Sequence, residues 1–597
     1  MRIKHFFGLA VLAAMTASCS SNNDLVNGGN GENETGASYA SITINLPTTN
    51  GTRATTNDQF DGGTASEYAV NDATLVIFEK GTATSEKDFK FVEAVPLGNL
   101  EPWKKDNTTG NGITTEATIT AKLAQATVGE NGDYYALVIL NNKDKNDADK
   151  VSMPGSTDTY ETWNVAAKVK NLIDYEKGFY MANAPEFKTA GEEPTTLVQI
   201  KGIYRTKEEA HSKPGATVHV ERGLAKVTVG PSSTKDYFAT DGANATGTKY
   251  SSDKVEITSW ALDVINKNSF PVHVTAGLKG GLTSTTSQTV PSYPEIWSNI
   301  NGKTDRFVSQ VSATGAFKRV YWGIDPNYSM DLADLTKCGE QFTLAAADRS
   351  AVTWMNGSGS DHPLYCLENT FDINHMKQGQ TTRVLLKATY TPNALASATD
   401  KTFFMIGNSS DIWTETTLAE QIKSKAEEVL NTTTGVTVDL NPEIKAAGTH
   451  VLDATNVTIN LDGVDKTSGI VDQINDKLGF DLSKGVGIKT YKDGVSYYIA
   501  RIKHFGDDLT PWNAGEGTYG TDNEKYLGRY GVLRNNWYNL TVNSISGPGY
   551  PDVPEVKPEA PDDEDTKYIN VEVKILDWAK RSQSVDCNSV ITTKGGA

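Results

Sequence analysis

Chemistry needs the right residue types at the right spacing, and few stretches of this 597-residue sequence offer them. The eight histidines (His5, His211, His219, His273, His362, His375, His450 and His504) are scattered singly. None lies in an H-E-x-x-H pattern or forms a close metal pair. "GSGSDH" (Gly357–His362) has a serine and a histidine. It lacks the strand–G-x-S-x-G–helix context that presents a hydrolase nucleophile. Asp462 and Asp465 in "NLDGVDKTSG" lack the spacing and the closing glutamate of a calcium loop. These groups read as surface polar residues, so no catalytic residue, metal or cofactor is assigned. Four cysteines remain. Cys338 and Cys366 either pair in an oxidising compartment or are buried free thiols. Cys587 is odd and near the end. Ten tryptophans could stack sugars. Trp260, Trp322, Trp537 and Trp578 sit in strand-like runs, however, and read as core.

Two residues near the start are placed for processing chemistry. Arg2 and Lys4 precede the apolar run "FFGLAVLAAM", which is too short to cross a bilayer at about 20 residues but suits a signal-peptide core. "TASCS" then puts Cys19 after small residues, as in a bacterial lipobox, where the cysteine thiol is acylated. Met1–Ser18 is thus expected to be a lipoprotein signal peptide and Cys19 the lipidated residue. A Gly/Asn-rich tether continues to about Tyr39. Next comes "SITINLPTTNGTRATTND" (Ser41–Asp58). Ile42, Ile44 and Leu46 alternate with polar residues, the period of a half-buried strand. Arg53, in the polar loop after it, is the only basic residue between Cys19 and Lys80.

The elements around these residues are mostly β. Hydrophobic residues make up 38% and charged residues 22%, enough to build cores. The 52 glycines and 24 tyrosines suit short strands joined by tight turns. A net charge of −18 argues against a nucleic-acid partner, which needs a basic face. "ATLVIFEK", "DYYALVILNN", "TVHVERGLAKVTVG", "EITSWALDVINKNSFPVHVT", "TTRVLLKATY" and "VSYYIARIKHF" all read as strands. The loop-like "KEEAHSKPGA" suggests a domain boundary before Thr217. "TTLAEQIKSKAEEVLN" has Leu418, Ile422, Ala426 and Leu430 at helical spacing, with Thr416 as the expected cap. A second short helix is expected in "VDQINDKLG". The predicted architecture is two β-sandwiches over 54–215 and 216–547, with a small α-containing insertion at about 416–484 in the second.

The chain ends as it begins. "GPGYPDVPEVKPEAPDDEDTK" is rich in proline and acid, so residues 548–567 are expected to form an extended spacer, reaching about 60 Å at roughly 3.1 Å per residue. In the next segment, 568–597, "YINVEVKILDW" puts Ile569, Val571, Val573 and Ile575 on one face. Burying each such side chain is worth about 1.5–3 kcal/mol, whereas ordering the chain costs about 1–2 kcal/mol per residue. A lone strand therefore needs a preformed groove. The two end strands are either ordinary edges of their own sheets or interchangeable occupants of one groove.

Longer stretches carry a resemblance. They are "TASC", the Arg53-Ala54 step, "RGLAKVTV", "SWALDVINKNSFPV", "YWGIDPNYS", "YCLENTFDINHMKQGQTTRVLLKATY", and "RYGVLRNNWYNLTVNSISGPGYP" with its spacer and "YINVEVKILDWAKRSQSVD". Together they resemble the Bacteroidales type V fimbrillins, specifically major stalk subunits of the short, Mfa-type fimbria. The resemblance implies transthyretin-like sandwiches and export as an outer-membrane lipoprotein precursor. It also implies that an arginine-specific protease cuts at Arg53-Ala54, so that 19–53 is a lipidated propeptide carrying a removable strand. A homopolymer then forms when Tyr568–Trp578 of one copy fills the vacated groove of the next. Anchor and tip subunits are the other implied partners, cell-surface fimbriae the location, and adhesion and biofilm formation the role. The similar family members end soon after "VDL"; here the chain runs on as "VDCNSVITTKGGA", with Cys587. A surface glycan-binding lipoprotein and a tip or accessory adhesin are the rival readings. A tip accepts a strand without donating one, and the strand behind the spacer argues against that.

Overall fold

The computed structural model describes residues 37–46, 65–98, 100, 116–130, 132–143, 150–166, 177–186, 194–213, 215–275, 320, 322–505, 510 and 526–562, and the backbone of 569–576 and 581–582. The first unit is a single sheet that rolls over on itself, so that its two ends face as the layers of a sandwich. Its strands are β1 (Ser38–Asn45), β2 (Ala73–Glu79), β3 (Lys90–Pro96), β4 (Glu116–Leu123), β5 (Tyr134–Leu140), β6 (Met181–Asn183), β7 (Val198–Gln199) and β8 (Ala216–Arg222). They are ordered β3-β2-β5-β6-β8-β1-β4, with β7 beside β5. The ends of this path meet. The Glu93 carboxylate on β3 accepts the backbone N–H groups of Ala124, Gln125 and Ala126 just past β4, at 2.8–3.0 Å. Rolling closes the sheet around a core of Leu75, Ile77, Ala136, Val138, Val218 and the inward residues of β1.

β8 belongs to this first sheet. The boundary between the sandwiches therefore falls at Gly223, not before Ala216. The turn between two alternating strands looks like an ordinary hairpin, but it sends β8 and the next strand into different sheets.

The second unit is a two-sheet sandwich. One sheet runs β14 (Leu364–Leu367), β9 (Leu224–Pro231), β23 (Trp537–Ile545), β24 (Ile569–Leu576), β25 (Arg581–Ser582). The other runs β10 (Ala243–Asn244), β11 (Lys254–Asp263), β15 (Arg383–Thr391), β22 (Val495–Arg501). Between them lie Val227, Val229, Trp260, Leu262, Leu386, Tyr498, Tyr538 and Leu540. β12 (Ile265–Asn266) and β13 (Phe342–Thr343) form a small side ribbon. Trp260, Trp322 and Trp537 are buried, in accord with the core reading; Trp578 lies outside the described residues.

The four-stranded sheet is covered on both faces. Leu385, Ala261 and Ile499 point away from the inter-sheet core and pack with Val352 and Val553. This explains why "VLLKATY" and "YYIAR" are apolar almost throughout instead of strictly alternating.

The insertion lies between β16 (Phe403–Ile406) and β21 (Ile488–Tyr491), which pair antiparallel. β18 (Gly448–His450) adds to β21. β17 (Val436–Leu440), β19 (Val457–Leu461) and β20 (Val464–Asp465) form a second small sheet. Helices Glu415–Leu430 and Thr467–Leu478 bury Leu418, Ile422, Ala426, Ile470 and Ile474 in a core of their own. The first helix begins earlier than expected. Thr414, not Thr416, is the cap, because its hydroxyl and that of Thr417 reciprocate as a capping box.

Of the two alternatives for Cys338 and Cys366 the structure has buried free thiols, and one further expectation, the spacer, changes. Cys338 and Cys366 are both free and sit in separate clusters, so no disulfide joins them. Burial pushes the Cys338 thiol up to about 11 and the Cys366 thiol to about 12, which leaves both uncharged and unreactive at neutral pH. The Pro/acidic segment is not a free spacer over its first part. Residues 547–562 lie along the second sandwich, with Val553 and Val556 buried.

Candidate assembly site

The strand at the start of the chain is not an edge. β1 lies between β4, antiparallel, and β8, parallel. Its register pairs Ile42 with Ile119 on one side and with Ala216 on the other. Alternation sends Ala40, Ile42, Ile44 and Leu46 into the core, with Ile42 and Ile44 at 0% exposure and Leu46 at 2%. Thr43 faces outward and shares a 2.9 Å hydrogen bond with Thr118. The Ser38 hydroxyl donates to the Ala126 carbonyl at 2.6 Å, and Tyr39 exchanges two backbone bonds with Tyr204 at 2.8 Å.

One glycine makes the fit possible. A Cβ on Gly215 would run into the carbonyl oxygen of Ser41, so only glycine lets the chain leading into β8 approach β1 this closely. His219 on β8 lies opposite Asn45, and burial holds its imidazole below the ordinary value. It is neutral at pH 7, and this edge of the groove offers no histidine charge.

With β1 in place, the facing edges of β4 and β8 both have a ladder partner. Without it, two strand edges would bound an apolar slot lined by Ala117, Ile119, Ala121, Val218 and Val220. Unpaired buried backbone groups and exposed core are both unfavourable, so such a slot demands an occupant. β4 was not singled out from sequence, although Ala117, Ile119, Ala121 and Leu123 alternate clearly enough to have identified it.

At the other end, β24 pairs antiparallel with β23, bringing Ile569 opposite Ile545, Val571 opposite Val542, Val573 opposite Leu540 and Ile575 opposite Tyr538. The register slips between Val542 and Ser544, so the bulge is on β23 and the alternation of β24 is unbroken. The last apolar strand is therefore paired within its own chain. Cys19, Arg53, Ala54 and Cys587 lie outside the described residues. Strand β1 ends at Asn45, and after Leu46 the chain is next described at Ala65, the start of the helix Ala65–Tyr68.

The chain is mostly β, with β1 buried inside its first sheet and β24 on the flank of its second sandwich. Residues 489–584 match the family described as "Major fimbrial subunit protein type IV, Fimbrillin, C-terminal". That stretch carries β22, β23, the Pro/acidic segment and β24. Solved structures with low identity are also similar. A putative cell adhesion protein from Parabacteroides distasonis ATCC 8503 is 12% identical, with 91% of this chain and 98% of that one covered and a TM-score of 0.34. Another, from Bacteroides eggerthii DSM 20697, is 12% identical over 93% and 100%, at 0.31. The tip fimbrial protein Mfa3 from Porphyromonas gingivalis, truncated at its C-terminus, is 9% identical over 91% and 100%, at 0.28. No curated protein matches. The family match thus covers the C-terminal part of the second sandwich, and over those residues the chain is similar to major fimbrial subunits.

Proposed function

We propose that this chain is the stalk subunit of a type V, Mfa-type fimbria and polymerises by strand exchange triggered by proteolysis. The precursor reaches the outer membrane with lipid on Cys19. An arginine-specific protease cuts after Arg53, and β1 leaves with the propeptide. The Tyr568–Trp578 strand of another copy then enters the slot between β4 and β8. The contact is heterologous and does not close, so repetition makes a filament. Anchor and tip subunits bound it, and the filament serves adhesion and biofilm formation.

One observation carries this reading. β1 is an internal strand, doubly paired and with its apolar face fully buried, yet the connection to the body contains the only basic residue between Cys19 and Lys80. An ordinary internal strand has no need of a protease-sensitive tether. The test is electron microscopy of purified precursor before and after arginine-protease treatment, with N-terminal sequencing of the product. Filaments from a product beginning at Ala54 are expected; a product beginning there that binds glycans yet never polymerises would favour the glycan-binding reading.

Two substitutions separate the roles of the strands. Ile42→Ala removes core volume only while β1 is present. It should destabilise the uncut first sandwich by about 2–5 kcal/mol in urea melts and leave assembled filaments unchanged. Equal destabilisation of cut and uncut protein would contradict the removal of β1. Val573→Asp puts a charge where the donor strand must enter an apolar slot, at a cost no slot residue offsets. It should abolish the polymer ladder on mild SDS gels while the monomer keeps its circular dichroism spectrum. A normal ladder would mean that the donor strand lies elsewhere.

A further inference from the structure

The segment before β24 is held to the second sandwich at both ends and along its length. At its start, the hydroxyls of Tyr498 and Tyr491 donate to the carbonyls of Gly547 and Gly549 at 3.0 and 2.8 Å, and Tyr550 exchanges two backbone bonds with Tyr497. In the middle, Val553 and Val556 are buried, and the Arg383 guanidinium donates to the Pro554 carbonyl at 2.7 Å. Further on, the Gln378 N–H donates to the Ala560 carbonyl at 2.9 Å, and Lys377 pairs with Glu559 at 2.6 Å. At its end, Asp562 is fully buried. Its carboxylate pairs with Arg501 at 2.9 Å and accepts the Thr381 hydroxyl.

The Asp562 contact answers a specific electrostatic need. Arg383 on β15 and Arg501 on β22 are cross-strand partners, so two buried guanidiniums stand side by side. Arg383 has Asp263 from β11 at 2.8 Å. Arg501 has Asp562, which comes from the C-terminal segment. Lifting that segment away would leave these two neighbouring cations to share Asp263 and would expose the outer face of the four-stranded sheet, which Val553 covers. The segment is thus a layer of the second sandwich.

We propose that residues 547–562 stay docked in the filament, that Asp562 is the fixed point from which the donor strand leaves, and that the first sandwich of the next copy therefore seats directly against this face of the second. This rests on the strand-exchange reading. At roughly 3.6 Å per residue, the step from Asp562 to Ile569 spans at most about 25 Å. A free spacer would reach more than twice as far. The short arm forces adjoining copies into contact, giving a stiff filament with a regular repeat, not beads on a tether.

Two engineered disulfides test this in the full-length chain carrying Cys587→Ser. Lys377 and Pro561 are paired across an antiparallel bridge, and so are Thr541 and Glu572 on β23 and β24; such pairs fit disulfide geometry. K377C/P561C locks the segment down, whereas T541C/E572C locks the donor strand in its own chain. After arginine-protease treatment, the oxidised K377C/P561C protein is expected to form a wild-type ladder and repeat. The oxidised T541C/E572C protein should stay monomeric until reduced. If both need reduction, the segment must peel away and the proposal falls while strand exchange stands. If neither lock blocks assembly, the donor assignment itself is wrong and the proposal falls with it. A second variant removes both charges of the end contact, D562A/R501M. Its filaments should show a longer or less regular repeat by electron microscopy; a repeat identical to wild type would overturn the role of Asp562.

Discussion

Arg53→Ala is expected to leave the protein as a secreted, lipid-bearing monomer with no ladder on mild SDS gels and no filaments. β1 is an intramolecular occupant of the slot between β4 and β8, so its effective concentration is in the millimolar range or above, which a donor strand from another copy at micromolar concentration cannot match. It also fits well. Ile42 and Ile44 have no exposed surface, and each contributes about 1.5–3 kcal/mol by burial. β4 pairs with it from Ser38 to Asn45, and β8 from Ile42 to Asn45. Cutting the loop changes none of these contacts but removes the connection, so a strand that escapes no longer returns at high local concentration. An arginine restored two residues further on, in R53A/T55R, should restore the ladder, because only the position of the cut has moved. A wild-type ladder from Arg53→Ala alone would sink the trigger.

The legibility of this molecule tracks the range of the interactions. Alternation is local, so the strands β1, β2, β5, β9, β11, β15 and β24 were readable from sequence, as was the burial of Trp260 on β11. Helical spacing is local too, and the insertion's first helix was found to within two residues at each end. The features that escaped were set by distant partners. The segment with Val553, Val556 and Asp562 has the composition of an extended spacer, and nothing nearby in sequence reveals that Arg501 and Thr381 await Asp562. The division at Gly223 escaped for the same reason: β8 and β9 look alike, but β8 finds β1 and β6 while β9 finds β14 and β23. The position of β1 between two strands, instead of at an edge, is a property of pairing, which alternation does not encode.

Glu67→Ala is expected to lower stability by about 3–5 kcal/mol, seen as a reduced urea midpoint in tryptophan fluorescence. Glu67 lies on the helix Ala65–Tyr68, the first described element after Arg53 in the sequence. Its carboxylate pairs with Lys226 of the second sandwich at 2.9 Å, and both side chains are 1% exposed or less. The Tyr365 hydroxyl donates to the same carboxylate at 2.6 Å, and Arg222 Nε donates to the Glu67 carbonyl at 2.9 Å. The Lys226 ammonium also lies 4.0 Å from the centre of the Trp537 ring. Removing the carboxylate takes away the ion pair of a buried ammonium, and the ring face offsets only part of the desolvation. Replacing both charges together, as E67L/K226M, should recover most of the loss, since the cation then goes with its counter-charge. A loss below about 1 kcal/mol for Glu67→Ala would show that solvent reaches Lys226 and that the pair is not structural. The location gives this pair a part in assembly. On the strand-exchange reading, the chain is cut only a short way before a residue fixed to both sandwiches. The cut therefore releases β1 without loosening the chain beyond it. The groove opens in a body still held by Glu67, Arg222 and Lys226, and a rigid groove is needed by an incoming strand with little binding energy to spare.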